Sequence, residues 1–308
     1  MSMKKRLLAL ACTFALTAGF VGALPEGFDG LGVSLGVSAE DLIFGEYGDY
    51  NYKVLDDETV EITWYYGTDA EVDIPLEIDG KKVTSIGLGC FYLCQGLTSI
   101  TIPDSVTFIG NEAFCGCTSL TSIIIPDSVT NIGAKAFSFC TGLTSITIPD
   151  SVTSIDMAVF AYCRSLTSIN IPDSVINIGE AAFADCTSLA SITIPASVTS
   201  IGNKAFGFFY DEENNQTKVD GFKIYCYKGT AGHQYALDNE FVYTLLDAVP
   251  GDANGDGKTN MKDLVLVQRH LNGWNVDIDL TVCDLTGDGK VNMKDYVALQ
   301  RQLNGWTA

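Results

Sequence analysis

The chain has 308 residues, 47% of them hydrophobic and 18% charged, with a net charge of −20. That length allows one large domain or two of ordinary size. The acidity argues against electrostatic attraction to nucleic acid or an anionic membrane, so neither is expected as a partner, and it suits solubility and cation binding.

At the N-terminus, Lys4, Lys5 and Arg6 precede an apolar run from Leu7 to Val21 and the small-residue stretch Val21-Gly22-Ala23. Charge, apolar core and cleavable small residues follow in the order of a secretory signal. The apolar run is about fifteen residues, short of the ~20 that span a bilayer, and no later segment is long and uncharged enough to cross. The expectation is a signal peptide over residues 1–23, cleavage near Ala23 and a secreted, extracellular product without a transmembrane segment. A lipid anchor centred on Cys12 fits less well, because Ala9-Leu10-Ala11 makes a poor lipobox and the apolar stretch continues past it. Residues 24–45 read as a linker, 46–247 as a repeat domain with caps, and 248–308 as a second, smaller domain.

Segments opening at Leu97, Leu120, Leu143, Leu166 and Leu189 are copies of one another at a spacing of 23 residues. A fixed period in this range means a stacked solenoid. Within the first copy, Leu97, Ile100 and Ile102 alternate as a short strand pointing inward, and Pro103-Asp104-Ser105 turns the chain. Val106 and Ile109 re-enter the core. Ala113, Phe114 and Cys117 then have the spacing that one helical turn buries on a single face, with Gly110 permitting the corner before it. An imperfect earlier coil runs from Val83 to Gly96, where Ile86, Phe91 and Cys94 fall 23 residues before Ile109, Phe114 and Cys117.

This pattern resembles the leucine-rich repeats of the BspA-like class found on surface and secreted bacterial proteins, over roughly Val72 to Tyr210. The resemblance implies an N-terminal strand cap near Tyr52 to Pro75 and a closing coil over Phe222 to Leu246, since end repeats otherwise expose an apolar face.

Ten cysteines in an exported chain would ordinarily suggest disulfides. Five of them, Cys94, Cys117, Cys140, Cys163 and Cys186, instead occupy one column of the stack, where free Cys packs as a small buried hydrophobe. Cys90, Cys115, Cys226 and Cys283 fit no such ladder. Outward strand positions, such as Ser99 and Thr101 or Ser145 and Thr147, are β-forming and bland. Phe139, Tyr162 and Phe208 form an aromatic column, interrupted by Asp185, that reads as packing between coils, with stacking on sugar rings as the alternative. His233 and His270 each stand alone, and no Ser or Cys has a base and an orienting acid near it in sequence. No catalytic residue is expected.

After Ala248-Val249-Pro250 a second repeat begins, at an offset of 32 residues. Each copy is a twelve-residue loop with oxygen side chains at positions 1, 3, 5, 9 and 12 and Gly at position 6, the arrangement that wraps oxygen ligands around Ca²⁺. The first loop offers Asp252, Asn254, Asp256, the Lys258 carbonyl, Asn260 and Asp263. The second offers Asp284, Thr286, Asp288, the Lys290 carbonyl, Asn292 and Asp295. Thr286 is the weaker donor, so the second of two Ca²⁺ sites is expected to bind less tightly. Mg²⁺ wants six short bonds and retains its waters, and is disfavoured. Each loop should run into a helix, 261–271 and 293–303. In these helices Leu264, Val267 and Leu271, then Tyr296, Leu299 and Leu303, share a core face.

A duplicated loop and helix without the incoming helix of a full EF-hand resembles a type I dockerin, over Gly251 to Trp306. The resemblance implies a cohesin domain of a scaffoldin as partner and a cellulosome as location. It implies contacts at Met261, Lys262, Gln268 and Arg269, and at Met293, Lys294, Gln300 and Arg301, so that either helix faces the cohesin. Trp274 and Trp306 read as closing the module's core. The expected fold is an α/β leucine-rich-repeat solenoid of strand-rich, 23-residue coils, plus a small all-α calcium-binding dockerin of two EF-hand-like loop–helix motifs. The expected function is non-catalytic: calcium-dependent docking, with a solenoid that binds a protein, a cell surface or a plant polysaccharide during polysaccharide catabolism. A cellulosomal hydrolase with an unrecognised active site, or a free secreted adhesin, are the alternatives.

Overall fold

The computed structural model describes residues 44–306 apart from 212 and 214. The signal segment and Cys12 lie outside the described residues, and the first strand opens at Phe44, inside the segment read as a linker.

Three cap strands lead into the solenoid. Phe44–Tyr47 pairs antiparallel with Tyr50–Val54, which pairs antiparallel with Val60–Tyr65. Val60–Tyr65 then runs parallel to Lys81–Ile86, and the stack continues in parallel through Phe108–Ile109 to Asn131–Ile132. Each full coil carries two short strands. One is exposed, buried, exposed in pattern, as in Ser145-Ile146-Thr147, and it lies in register between Ser122–Ile124 and Ser168–Asn170. The second is two residues long, as in Ser154–Ile155 beside Asn177–Ile178. The Ser of each Pro-Asp-Ser turn braces the coil below. Ser105 Oγ donates to the Val83 carbonyl at 2.6 Å, and Ser128 donates to that of Val106 at 2.6 Å.

The segment expected to form a helical turn around Ala113, Phe114 and Cys117 is not helical. Its N–H groups alternate in direction. Those of Glu112, Phe114 and Gly116 reach forward to the carbonyls of Ala134, Ala136 and Ser138 at 2.8 to 2.9 Å, whereas those of Ala113, Cys115 and Cys117 close turns back to Gly110, Glu112 and Phe114. A helix directs all its N–H groups along its own axis and could make none of the forward bonds. The alternation requires left-handed backbone at two columns, Glu112, Lys135, Ala158, Ala181 and Lys204, and Leu93, Gly116, Phe139, Tyr162 and Asp185, with φ between 53° and 76°. Such non-glycine residues cost on the order of 1 kcal/mol or more each, and persist because the inter-coil hydrogen bonds over-determine them. Gly110 serves this corner by close approach and not by a special φ. A Cβ there would sit 2.7 Å from the Gly87 carbonyl carbon of the coil below.

Side chains register as tightly as the backbone. Phe91, Phe114, Phe137, Phe160, Phe183 and Phe206 stack through the core with ring centroids 5.2 to 5.6 Å apart and interplanar angles of 6° to 21°. Tyr65 covers one end of this spine at 5.1 Å, and Tyr235 meets the other edge-on at 5.7 Å. Beside it runs the cysteine column. The thiols of Cys117, Cys140, Cys163 and Cys186 are free and buried, and each approaches a phenylalanine carbonyl of the coil before it at 3.1 to 3.2 Å. Burial pushes Cys140 and Cys186 up to about 12. Cys90, Cys115, Cys226 and Cys283 are buried and free as well.

Phe139 stacks on Tyr162 at 4.2 Å and 6°, so this aromatic column joins neighbouring coils. Asp185 interrupts it as a buried carboxylate that meets the Arg164 guanidinium at 3.5 Å, and desolvation raises its pKa. After Phe206 the hairpin Phe208–Tyr210 and Gln216–Lys218 breaks the period. The closing coil follows as Lys223–Cys226, parallel to both Ser191–Thr193 and Val242–Leu245, with a helix at Ala231–Asp238 capped by Thr230.

Phe160 packs between two rings and is fully buried, so Phe160→Ala should lower unfolding stability by about 3–5 kcal/mol. Phe139 is 45% exposed, and Phe139→Ala should cost no more than about 1 kcal/mol. Urea denaturation of the two variants checks this ranking.

Candidate metal centre and docking faces

The C-terminal module has a core of its own, built from Ala253, Leu264, Val267, Val282, Cys283 and Leu299, with Leu271, Tyr296 and Leu303 packed around it. Both expected helices form, Met261–Leu271 and Met293–Leu303, and their 3.6-residue periodicity supplies most of these residues. A third, short helix at Leu280–Cys283 contributes Val282 and Cys283. It was not anticipated, being too short for periodicity to reveal. Its one signal is Asp279, which caps it by accepting from Thr281 N at 3.1 Å. Lys228 of the closing coil meets Asp279 at 3.1 Å.

Each loop curls around its own acidic side chains. In the first, Asp252 accepts from Asp256 N at 3.1 Å and Gly257 N at 2.8 Å, while Asp263 accepts from Asn254 N at 3.1 Å and Asn260 N at 2.8 Å. The second repeats this: Asp284 accepts from Asp288 N and Gly289 N, and Asp295 from Thr286 N and Asn292 N, at 2.7 to 3.2 Å. The turn at position 6 needs left-handed backbone, and Gly257 and Gly289 supply it at φ 81°. Burial pushes Asp295 up, but hydrogen bonds from Asn292 and Thr286 outweigh it and leave the carboxyl below its usual range.

These loops suit a hard cation. Asp263 and Asp295 are fully buried and Asp252 nearly so. Among the described residues none of these three, nor Asp284, ion-pairs with a Lys or Arg. Carboxylate oxygens of Asp284, Asp288 and Asp295 lie within 4.8 Å of one another. Buried like charges without a counter-charge are costly, and oxygen-only donors at this separation match calcium chemistry.

Asn260 and Asn292, named above as ligands at position 9, also cap the helices. Each accepts from the N–H two residues on at 2.9 Å, within a capping box completed by Asp263 or Asp295. Thr286 donates its hydroxyl to Asp295 at 2.8 Å, which fixes the weaker donor in place. Asn254 instead directs its side-chain oxygen to Asp256 N at 2.9 Å.

All eight residues named for docking are exposed: Met261, Lys262, Gln268, Arg269, Met293, Lys294, Gln300 and Arg301. On the first copy, Met261, Lys262, Val265, Leu266 and Arg269 line a shallow depression with Asn254. The tryptophans depart from expectation. Trp274 and Trp306 do not close the core; they are 62% and 65% exposed, because the Asn-Gly turn after each helix carries them outward. The Arg269 guanidinium lies 5.6 Å from the Trp274 ring centroid.

Comparison with known families matches residues 84–210 to the BspA type leucine rich repeat region, in six copies, and residues 250–304 to the dockerin type I domain. Residues 84–210 are thus a BspA-type leucine-rich repeat region and residues 250–304 a type I dockerin domain. The six copies are the five regular coils and the imperfect one before them. Among solved structures, a Treponema pallidum leucine rich repeat protein is 34% identical, with 52% of this chain and 81% of that chain covered and a TM-score of 0.48. A leucine rich cell surface protein from Faecalibacterium prausnitzii is 27% identical over 61% of this chain and 71% of its own, with a TM-score of 0.45. No curated protein matches the chain. Type I dockerin domains bind calcium, and the module implies a cohesin as partner. Neither module is of a catalytic type. Among the described residues no helix is long and apolar enough to cross a membrane.

Replacing Asp263 removes both the buried acceptor for two loop N–H groups and half of a capping box. Asp263→Ala should weaken the calcium-induced gain of helical circular dichroism at least about tenfold in midpoint, a change of ~1.4 kcal/mol or more. Thr286→Ala should shift the midpoint less.

Proposed function

We propose that this protein is an exported, non-catalytic component of a cellulosome-type assembly, attached through its dockerin and displaying its solenoid as the binding arm. The observation that carries the reading is the duplication of a loop with buried, unpaired carboxylates beside a helix with an exposed basic and apolar face. Asp252, Asn254, Asp256, Asp263, the Lys258 carbonyl and Asn260 would hold one Ca²⁺; Asp284, Thr286, Asp288, Asp295, the Lys290 carbonyl and Asn292 would hold a second. With Asn260 and Asn292 engaged as caps, their ion contacts would run through water. Bound calcium supplies the positive charge that the buried carboxylates lack, so metal binding contributes folding free energy to the module. The helices would then present Met261, Lys262, Gln268 and Arg269, or their copies Met293, Lys294, Gln300 and Arg301, to a cohesin. The near-identity of the faces supports docking by either copy.

Several features support the non-catalytic reading. The solenoid thiols of Cys140 and Cys186 are buried and pushed up, which removes them as nucleophiles. His233 accepts from Gly229 N at 3.1 Å and lies tilted against Tyr243, ring centroids 5.0 Å apart, a structural place in the closing coil. The solenoid's parallel strands offer regular columns of exposed Ser and Thr to a protein, cell-surface or plant-polysaccharide ligand. The signal-like segment at residues 1–23 supports a secreted, cellulosome-associated location.

Calorimetric titration of the full chain with cohesins from its source organism tests the reading. Tight binding in calcium, with two ions per chain by parallel metal analysis, and at least about 100-fold weaker binding in chelator are expected. Binding that survives chelator, or none to any cohesin, would overturn it and favour a free adhesin.

A further inference from the structure

The two dockerin copies do not differ at random. Aligned at their offset of 32, they share Met-Lys, Gln-Arg and Asn-Gly-Trp, and also Val265 with Val297, all exposed. Their differences fall mainly on residues that face the core or its margin: Leu264 against Tyr296, Leu266 against Ala298, Val267 against Leu299. If only folding mattered, packing positions would be held and exposed ones would drift. Besides buried Asp263 and Asp295 and the packed Leu271 and Leu303, which loop and core would hold alike, retention runs along the exposed positions, which folding alone does not require.

Trp274 and Trp306 are the largest side chains in that retained set and more than 60% exposed. Exposed tryptophan is costly to leave in water and is enriched among the residues that dominate binding energy. On the first copy, Arg269 links the ring to the depression lined by Met261, Lys262 and Val265, so aromatic, aliphatic and basic groups form one continuous patch. Lys262 and Arg269 put positive charge there on a chain whose net charge is −20, which fits an acidic surface around an apolar socket.

We propose that Trp274 and Trp306 are the apolar anchors of the two docking faces, each seating in a cohesin's apolar socket when its own copy binds. The proposal rests on the cohesin-docking reading. It adds a residue of each face that reaches beyond the helix and that carries a large share of the affinity.

The test uses the full chain with calcium and a cohesin that binds it. Trp274→Ala and Trp306→Ala alone should leave the affinity within about threefold, because the other copy's face is intact. The double variant should lose about 30-fold or more, with helical circular dichroism and thermal transition unchanged, as suits residues outside the core. In a Trp64→Phe background, bound cohesin should shield one of the two remaining tryptophans from acrylamide quenching. A double variant that binds like the unsubstituted chain, or a thermal transition that collapses as for a core residue, would overturn the proposal. If the unsubstituted chain binds no cohesin, the docking reading itself fails and this inference with it.

Discussion

The solenoid depends on one backbone feature: in the turn of every coil, alternate N–H groups point forward to the carbonyls of the next coil. That alternation fixes the rise between coils and holds two columns of residues in left-handed backbone. It also sets successive phenylalanines about 5 Å apart, face to face. The cysteine column follows from the same register, since each thiol meets a carbonyl turned inward by the coil before it. Side chains as different as Glu112, Ala158, Leu93 and Phe139 occupy the left-handed columns, because the constraint comes from the neighbouring coils.

The dockerin is organised by an opposite kind of constraint. Its core is small, and among the described residues the loop carboxylates of Asp252, Asp263, Asp284 and Asp295 have no Lys or Arg partner, Asp288 alone meeting Lys294 at 3.9 Å. Hydrogen bonds from loop N–H groups orient those oxygens but do not neutralise them. A cation would complete the module, whereas the solenoid is held by its own hydrogen bonds and ring stacking. On the proposed reading, the chain would join a metal-independent surface to an attachment point whose folding is conditional on an ion.

Much of this was legible in the sequence because both parts are repeats. The 23-residue period identified Leu97, Ile100, Ile102, Val106, Ile109, Phe114 and Cys117 as core, and each is buried. The twelve-residue loops and the helices after them were readable from oxygen side chains and apolar spacing. What escaped was set by direction and context. Ala113, Phe114 and Cys117 have helical spacing, but a tight turn buries the same positions, and Glu112 or Lys135 carries no residue-type signal for φ above zero. Gly110 permits the corner as expected, but by close approach to the coil below, which the sequence does not specify. Trp274 follows a helix by an Asn-Gly pair, and the sequence does not say whether such a turn folds its tryptophan back or carries it out. The paired roles of Asn260, cap and loop residue, appear only when Asp263 is seen to bond both Asn254 and Asn260.

The central claim, a self-sufficient solenoid joined to a module completed by calcium, is tested most directly by differential scanning calorimetry of the full chain with calcium and with chelator. Two transitions are expected. The smaller should shift down or vanish with chelator, while the larger stays where it was. A single transition that moves as a whole, or two that are both indifferent to calcium, would contradict the account.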